Sequence, residues 1–128
     1  MKAGVVLMRI TAGVLGLQLL LGGLLTFGFI SAEAHILVGF LLLLLATGTM
    51  AAWFMTEPAF RPMRVATAVI VLLLLVQGAL GFAALGTKSD ALSLLHFLDA
   101  LAVFGATISG SFIAMRWAGA PRGGTRAG

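Results

Sequence analysis

Residues 34–54 read AHILVGFLLLLLATGTMAAWF, and this apolar run decides the class of fold. At about 1.5 Å per residue, a helix of this length crosses a hydrocarbon core of about 30 Å. Three further apolar runs of membrane length lie at 5–30, 65–85 and 91–117. The sequence therefore predicts an all-α bundle of four transmembrane helices joined by short connections.

The composition agrees with this prediction. Charged residues make up 9% of the chain, against about a quarter in soluble domains, so we expect membrane lipid to cover nearly all of the protein. The first apolar run is too long for a signal peptide and lacks a cleavage pattern, so we expect a retained helix. Cysteine is absent, which excludes disulfides, thiolate metal ligands and cysteine-based catalysis.

Basic residues are distributed unevenly between the ends of the predicted helices. Only Lys88 lies in the third connection, whereas Lys2, Arg9, Arg61, Arg64, Arg116, Arg122 and Arg126 lie at the other ends. By the positive-inside rule both termini are cytoplasmic, and we expect a multi-pass protein of the plasma membrane. The net charge of +4 indicates attraction to anionic lipid headgroups and not to nucleic acid. We expect Trp53 and Trp117 at the cytoplasmic interface and a flexible cytoplasmic tail at 118–128.

The two halves of the chain resemble each other. A Gln-x-x-x-Gly pattern occurs at Gln18 and again at Gln77, and a histidine follows these residues after 17 and 19 positions. This pattern predicts two duplicated helix hairpins related by a pseudo-twofold axis along the membrane normal. Because an unpartnered amide costs several kcal/mol in lipid, we expect Gln18 and Gln77 to bond each other or backbone across that axis.

His35 and His96 are the only histidines, and they occupy equivalent positions in the duplication. Helices two and four run in the same direction, either diagonally opposite or side by side, so both imidazoles lie at similar depth beneath the outer surface. A haem iron needs only axial ligands from the protein, whereas structural zinc needs four ligands. We therefore predict that His35 and His96 bind the iron of a b-type haem; the alternative is a pair of interfacial histidines bonded to backbone or lipid.

Small and aromatic residues surround the histidines in the sequence. Gly22, Gly39 and Gly81 would let a porphyrin approach the helix backbones, or they would serve tight helix packing of the small-x-x-x-small kind. Several aromatic side chains are available to pack on a macrocycle, namely Phe27, Phe29, Phe40, Phe82 and Phe97.

Two carboxylates are candidate catalytic residues. Asp99 follows His96 by three positions and so shares its helix face, where it could hold a water, couple a proton to haem reduction or steady the imidazole. Its structural alternative is a protonated side chain bonded to Thr26 or a glutamine of a neighbouring helix. Glu33 lies just before His35. It either has a catalytic role at the site or is a solvated residue at the start of the helix.

The segments AHILVG at 34–39, LVQGALG at 75–81 and LHFLDA at 95–100 resemble one half of a heme A synthase. In that family an eight-span chain consists of two four-helix halves, each with a histidine on its second and fourth spans. The resemblance covers essentially the whole chain and implies that His35 and His96 are axial ligands of a b-type haem. The catalytic half of that family has a Glu-x-x-His-Arg pattern. Here Glu33 is one position too close to His35, and Ile36 stands where the arginine would be. The resemblance is therefore to the cofactor-holding half.

The sequence thus predicts a membrane b-type cytochrome that transfers electrons in or near a respiratory or oxidase-assembly complex, alone or as a homo-oligomer. One alternative is an enzyme, a compact heme A synthase acting as an oligomer, with Glu33 or Asp99 supplying the missing carboxylate. A second alternative is a cofactor-free accessory subunit or small transporter with structural histidines.

Overall fold

The structure, a computed structural model, describes residues 3–56 and 60–119. Four helices account for nearly all of this part of the chain: α1 (Ala3–Thr26), α2 (Ala32–Thr56), α3 (Arg61–Thr87) and α4 (Asp90–Gly119). Each helix is long and apolar enough to cross a membrane. The protein is therefore an all-α, multi-pass membrane protein, which confirms the predicted fold class.

The first helix ends earlier than the apolar run that predicted it. The run continues to residue 30, but α1 ends at Thr26. Gly28 has a φ of 74°, and its N–H donates to the carbonyl of Leu25 while the N–H of Phe29 donates to Leu24. This pair of bonds is the Schellman motif, which ends helices at a left-handed glycine.

The other helices extend beyond their predicted bounds. Helix α3 begins at Arg61, because Pro62 is compatible with a first helical turn. Helix α4 begins at Asp90, where the hydroxyl of Ser89 accepts the N–H of Leu92 at 3.4 Å and caps the helix. Helix α4 ends at Gly119, so residues 118 and 119 of the predicted tail are helical, and positions 120–128 lie outside the described residues.

The four helices form a square arrangement. Helix α1 packs against α2 and α4, and α3 packs against the same two helices. Across the described ranges, α1 makes no close backbone approach to α3, nor α2 to α4. The two histidine-bearing helices, α2 and α4, are therefore diagonally opposite, which decides between the two arrangements that the sequence allowed.

A regular seam of residues faces the bundle axis, and it carries the duplication. Along each helix the seam residues recur at intervals of four and three, the spacing of left-handed knobs-into-holes packing. Adding 59 to a seam position of α1 gives the equivalent position of α3, and adding 61 to one of α2 gives that of α4. The seam comprises Gly4, Met8, Thr11, Leu15, Gln18 and Gly22 in α1; His35, Gly39, Leu42, Ala46, Thr49 and Trp53 in α2; Met63, Thr67, Ile70, Leu74, Gln77 and Gly81 in α3; and His96, Ala100, Val103, Thr107, Gly110 and Ala114 in α4.

Burial divides this seam into two halves. In every helix, the four seam residues nearer the Trp53 end are buried, whereas the two nearer the histidines are only half-buried. No described residue in 16–41 or 75–102 is buried. We call these two ranges the histidine half and the remainder of the bundle the tryptophan half. The dry core lies in the tryptophan half, and the histidine half is open.

Large and small residues alternate between equivalent positions in the tryptophan half. Trp53 is fully buried and packs so closely on Gly4 that a Cβ there would lie 2.9 Å from its ring. In the second hairpin the large residue is Met63, at the position equivalent to Gly4, and the small one is Ala114, at the position equivalent to Trp53. The ring of Trp53 is therefore a core side chain that fills the notch at Gly4, and its location at the cytoplasmic interface stays a prediction.

Candidate functional site

The two histidines meet at the bundle axis. His35 extends from α2 and His96 from α4, and their ring centroids lie 6.3 Å apart with the ring planes at 75°. Both side chains are half-buried. Below them, toward the dry core, lies a layer of Leu15, Leu42, Leu74 and Val103, all of them buried. The site thus has an apolar floor and an open end.

Each imidazole is bonded to a glutamine of its own hairpin. The side-chain nitrogen Nε2 of Gln18 lies 3.2 Å from Nε2 of His35, and Gln77 makes the same 3.2 Å contact with His96. The prediction that the two glutamines bond each other or backbone across the axis is wrong. Each glutamine lies one seam position below the imidazole layer, so the ring nitrogen of its own hairpin is within reach.

A second hydrogen bond fixes the proton on His96. Its Nδ1 lies 3.0 Å from the backbone oxygen of Gln77. A carbonyl can only accept, so Nδ1 carries the hydrogen, and in the neutral ring the lone pair is on Nε2. The amide of Gln77 then donates to Nε2. Metal-binding histidines commonly donate their other ring N–H to a carbonyl in this way.

The equivalent backbone contact of His35 is weaker. The backbone of Gln18 approaches the His35 ring from the equivalent side, but Nδ1 of His35 is buried with no partner within hydrogen-bond geometry. The two halves of the site are therefore similar in layout and different in hydrogen bonding.

The three glycines predicted at the site make room for these side chains. A Cβ at Gly22 would lie 3.2 Å from Cε1 of His35, and one at Gly81 would lie 2.9 Å from Cε1 of His96. A Cβ at Gly39 would lie 3.1 Å from Nε2 of Gln18. Gly22 and Gly81 are thus notches that seat the imidazoles, a use that neither of the two sequence interpretations contained.

The described residues hold no group of three or more His, Cys, Asp or Glu side chains that could bind a metal ion by themselves. A metal held by His35 and His96 must therefore bring further donors of its own. Two metal–nitrogen bonds of about 2 Å each, extended to the ring centres, separate two opposed imidazoles by about 6 Å. The observed 6.3 Å between centroids matches that separation, while each Nε2 atom contacts a glutamine amide in this structure.

Comparison of this chain with family models, with curated proteins and with solved structures finds no match. The resemblance to the heme A synthase family stays a prediction. The site must be interpreted from its own residues.

The aromatic residues and Glu33 lie outside the centre of the site. Phe27, Phe29, Phe40, Phe82 and Phe97 are all exposed on the bundle surface. Glu33 is also exposed and accepts a hydrogen bond from the hydroxyl of Ser31. Two residues turn a helix by about 200°, so Glu33 points away from the axis that His35 faces. Its position in the first turn of α2 suits a helix N-terminus.

Asp99 remains beside the site. It is half-buried on α4 one turn from His96 and close enough to interact with it electrostatically. Its Oδ2 atom is buried without a hydrogen-bond partner, and the hydroxyl of Thr26, one predicted partner, donates to the carbonyl of Gly22 instead. Carboxylates without partners inside spans are costly and are commonly functional.

Replacing Asp99 by leucine is expected to raise the free energy of unfolding by about 1–3 kcal/mol, because an aspartate near the middle of a span is unfavourable by about that amount. The matched control is Asp90→Leu, which removes an exposed acid from the first turn of α4 and should cost up to about 1 kcal/mol. Both are measured by denaturant titration in mild detergent. A loss of stability in the Asp99 variant would show that the carboxyl has a stabilising partner.

Proposed function

We propose that this protein is a b-type haem protein that transfers electrons in the membrane, with His35 and His96 as the axial ligands. The observation that carries the proposal is the meeting of two imidazoles from diagonal helices at 6.3 Å. The chain has no cysteine for covalent attachment of the cofactor, which excludes a c-type haem and is compatible with the b type. Bound haem would supply one-electron redox chemistry.

The residues of the site suit this role in three ways. The Nδ1–H of His96 is held by the Gln77 carbonyl, so in the neutral ring Nε2 carries the lone pair that iron ligation needs. The seam residues of the histidine half are only half-buried, and the buried layer of Leu15, Leu42, Leu74 and Val103 separates the site from the opposite end of the bundle. The exposed Arg9, Arg61 and Arg116 belong to the tryptophan end, which supports a plasma-membrane orientation with cytoplasmic termini and a redox partner, in a respiratory or oxidase-assembly complex, on the outer side.

One observation favours a second candidate, a cofactor-free bundle used as an accessory subunit. The Nε2 atoms of both imidazoles are bonded by glutamine amides. Interhelical hydrogen bonds of this kind stabilise transmembrane bundles. Ligation of iron requires that these amides turn away, whereas a structural role does not.

The experiment is a visible spectrum of the detergent-purified protein, reduced minus oxidised, after expression with haem supplied. The wild type is expected to give a sharp low-spin b-type spectrum, and both His35→Ala and His96→Ala should lose that low-spin signature. The matched control is Phe97→Ala, an exposed neighbour of His96, which should keep it. A colourless wild-type protein after haem addition would favour the cofactor-free bundle.

A further inference from the structure

The two imidazoles differ in how firmly they are held. The His96 ring lies deeper in its notch, since a Cβ at Gly81 would be 2.9, 3.3 and 3.6 Å from three of its ring atoms. A Cβ at Gly22 would be 3.2 and 3.7 Å from two atoms of the His35 ring. The deeper ring is also the one whose Nδ1 makes a 3.0 Å hydrogen bond to a carbonyl, whereas the Gln18 backbone approaches the His35 ring without reaching hydrogen-bond geometry at Nδ1.

We infer that His96 is the anchored axial ligand and His35 the exchangeable one, so that a small iron ligand such as carbon monoxide binds on the His35 side. This inference rests on the proposed haem function. Moving His96 away from iron breaks its bond to the Gln77 carbonyl or strains the ring against the α3 backbone. Moving His35 costs only the weaker approach of the Gln18 backbone, and its ring is less closely packed on Gly22.

If His35 leaves the iron, the amide of Gln18 can bond its Nε2 atom. The structure shows its Nε2 bonded to the amide of Gln18, and that amide lies over Gly39 in a space that a Cβ would narrow to 3.1 Å. At the position equivalent to Gly39 the second hairpin has Ala100. The missing Cβ at Gly39 thus seats the Gln18 amide where it bonds Nε2 of His35, and this partner favours exchange at His35.

The first test needs no haem. In protein labelled with ¹⁵N-histidine and held in lipid nanodiscs, two imidazoles are observed by NMR and assigned with the single alanine variants. His96 is expected as one tautomer with hydrogen on Nδ1 and slow exchange with solvent. His35 is expected to sample both tautomers with faster exchange. Equal behaviour of the two rings, or a fixed His35, would overturn the inference whether or not haem binds.

The second test uses haem and carbon monoxide. His35→Ala is expected to retain a high-spin, five-coordinate haem that binds carbon monoxide without displacing a ligand, while His96→Ala weakens haem binding by about tenfold more, the value of one hydrogen bond. Equal haem loss in the two variants, or haem retained only in His96→Ala, would overturn the inference. If the wild type binds no haem, the proposed function fails, and the tautomer measurement still decides whether the imidazoles differ.

Discussion

Replacing Gly81 by alanine is expected to lower the free energy of unfolding by about 1–3 kcal/mol, the usual cost of overpacking. The new Cβ would lie 2.9 Å from Cε1 of His96. That atom belongs to a rigid ring held by two hydrogen bonds to Gln77. The ring must leave its notch, and both bonds are lost with it. Unfolding in mild detergent measures the loss.

The matched control is Gly78→Ala on the same helix, where nothing lies within 4 Å of the new Cβ. Alanine is the better helix former by up to about 1 kcal/mol, so this variant should be as stable as the wild type or more stable. The contrast between the two substitutions separates a side-chain clash from any general effect of removing a glycine from α3.

A double-mutant cycle identifies what the notch holds. If Gly81 serves to seat the imidazole, then Gly81→Ala costs almost nothing in a His96→Ala background, and the coupling energy is about 1–3 kcal/mol. Full additivity in the haem-free protein would instead show that Gly81 is needed for helix packing. That outcome would return Gly81 to the small-x-x-x-small interpretation.

The placement of the histidines could be predicted from the sequence because depth in a membrane follows from counting residues along a helix. Once the duplication is recognised, His35 and His96 fall at the same level on helices of the same direction. Which corners of the bundle these helices occupy could not be predicted. All four helices are apolar on every side, so their hydrophobic pattern does not mark a face for each neighbour.

The glutamine partners were missed for a related reason. The prediction for Gln18 and Gln77 used the cost of an unpartnered amide, which requires a partner without identifying one. The partner depends on the register between the helices of one hairpin. The sequence did contain a signal. From Gly4 to Gln18 the seam residues are spaced alternately by four and three positions, and the same spacing runs from His35 to Trp53 on the antiparallel helix. Aligning those two series places each glutamine next to the histidine layer.

Replacing Trp53 by alanine is expected to cost about 3–5 kcal/mol of stability, because the ring is fully buried. The ring joins several elements of the tryptophan half. It covers Gly4 of α1, and its centroid lies 5.9 Å from that of Phe60 before α3 and 5.4 Å from that of Trp117 in α4. The control Phe112→Ala removes a ring that is 58% exposed and should cost far less.

The duplication supplies a rescue for this variant. At the positions equivalent to Gly4 and Trp53, the second hairpin has Met63 and Ala114, so the large side chain is on the first helix of the pair instead of the second. The double variant Gly4→Met, Trp53→Ala gives the first hairpin the same division of volume. Because volume-conserving exchanges in a core are tolerated best, the double variant should unfold at a higher denaturant concentration than Trp53→Ala alone. A double variant that is no more stable would show that the pseudo-equivalent notches differ in shape and that tryptophan is needed for its ring contacts.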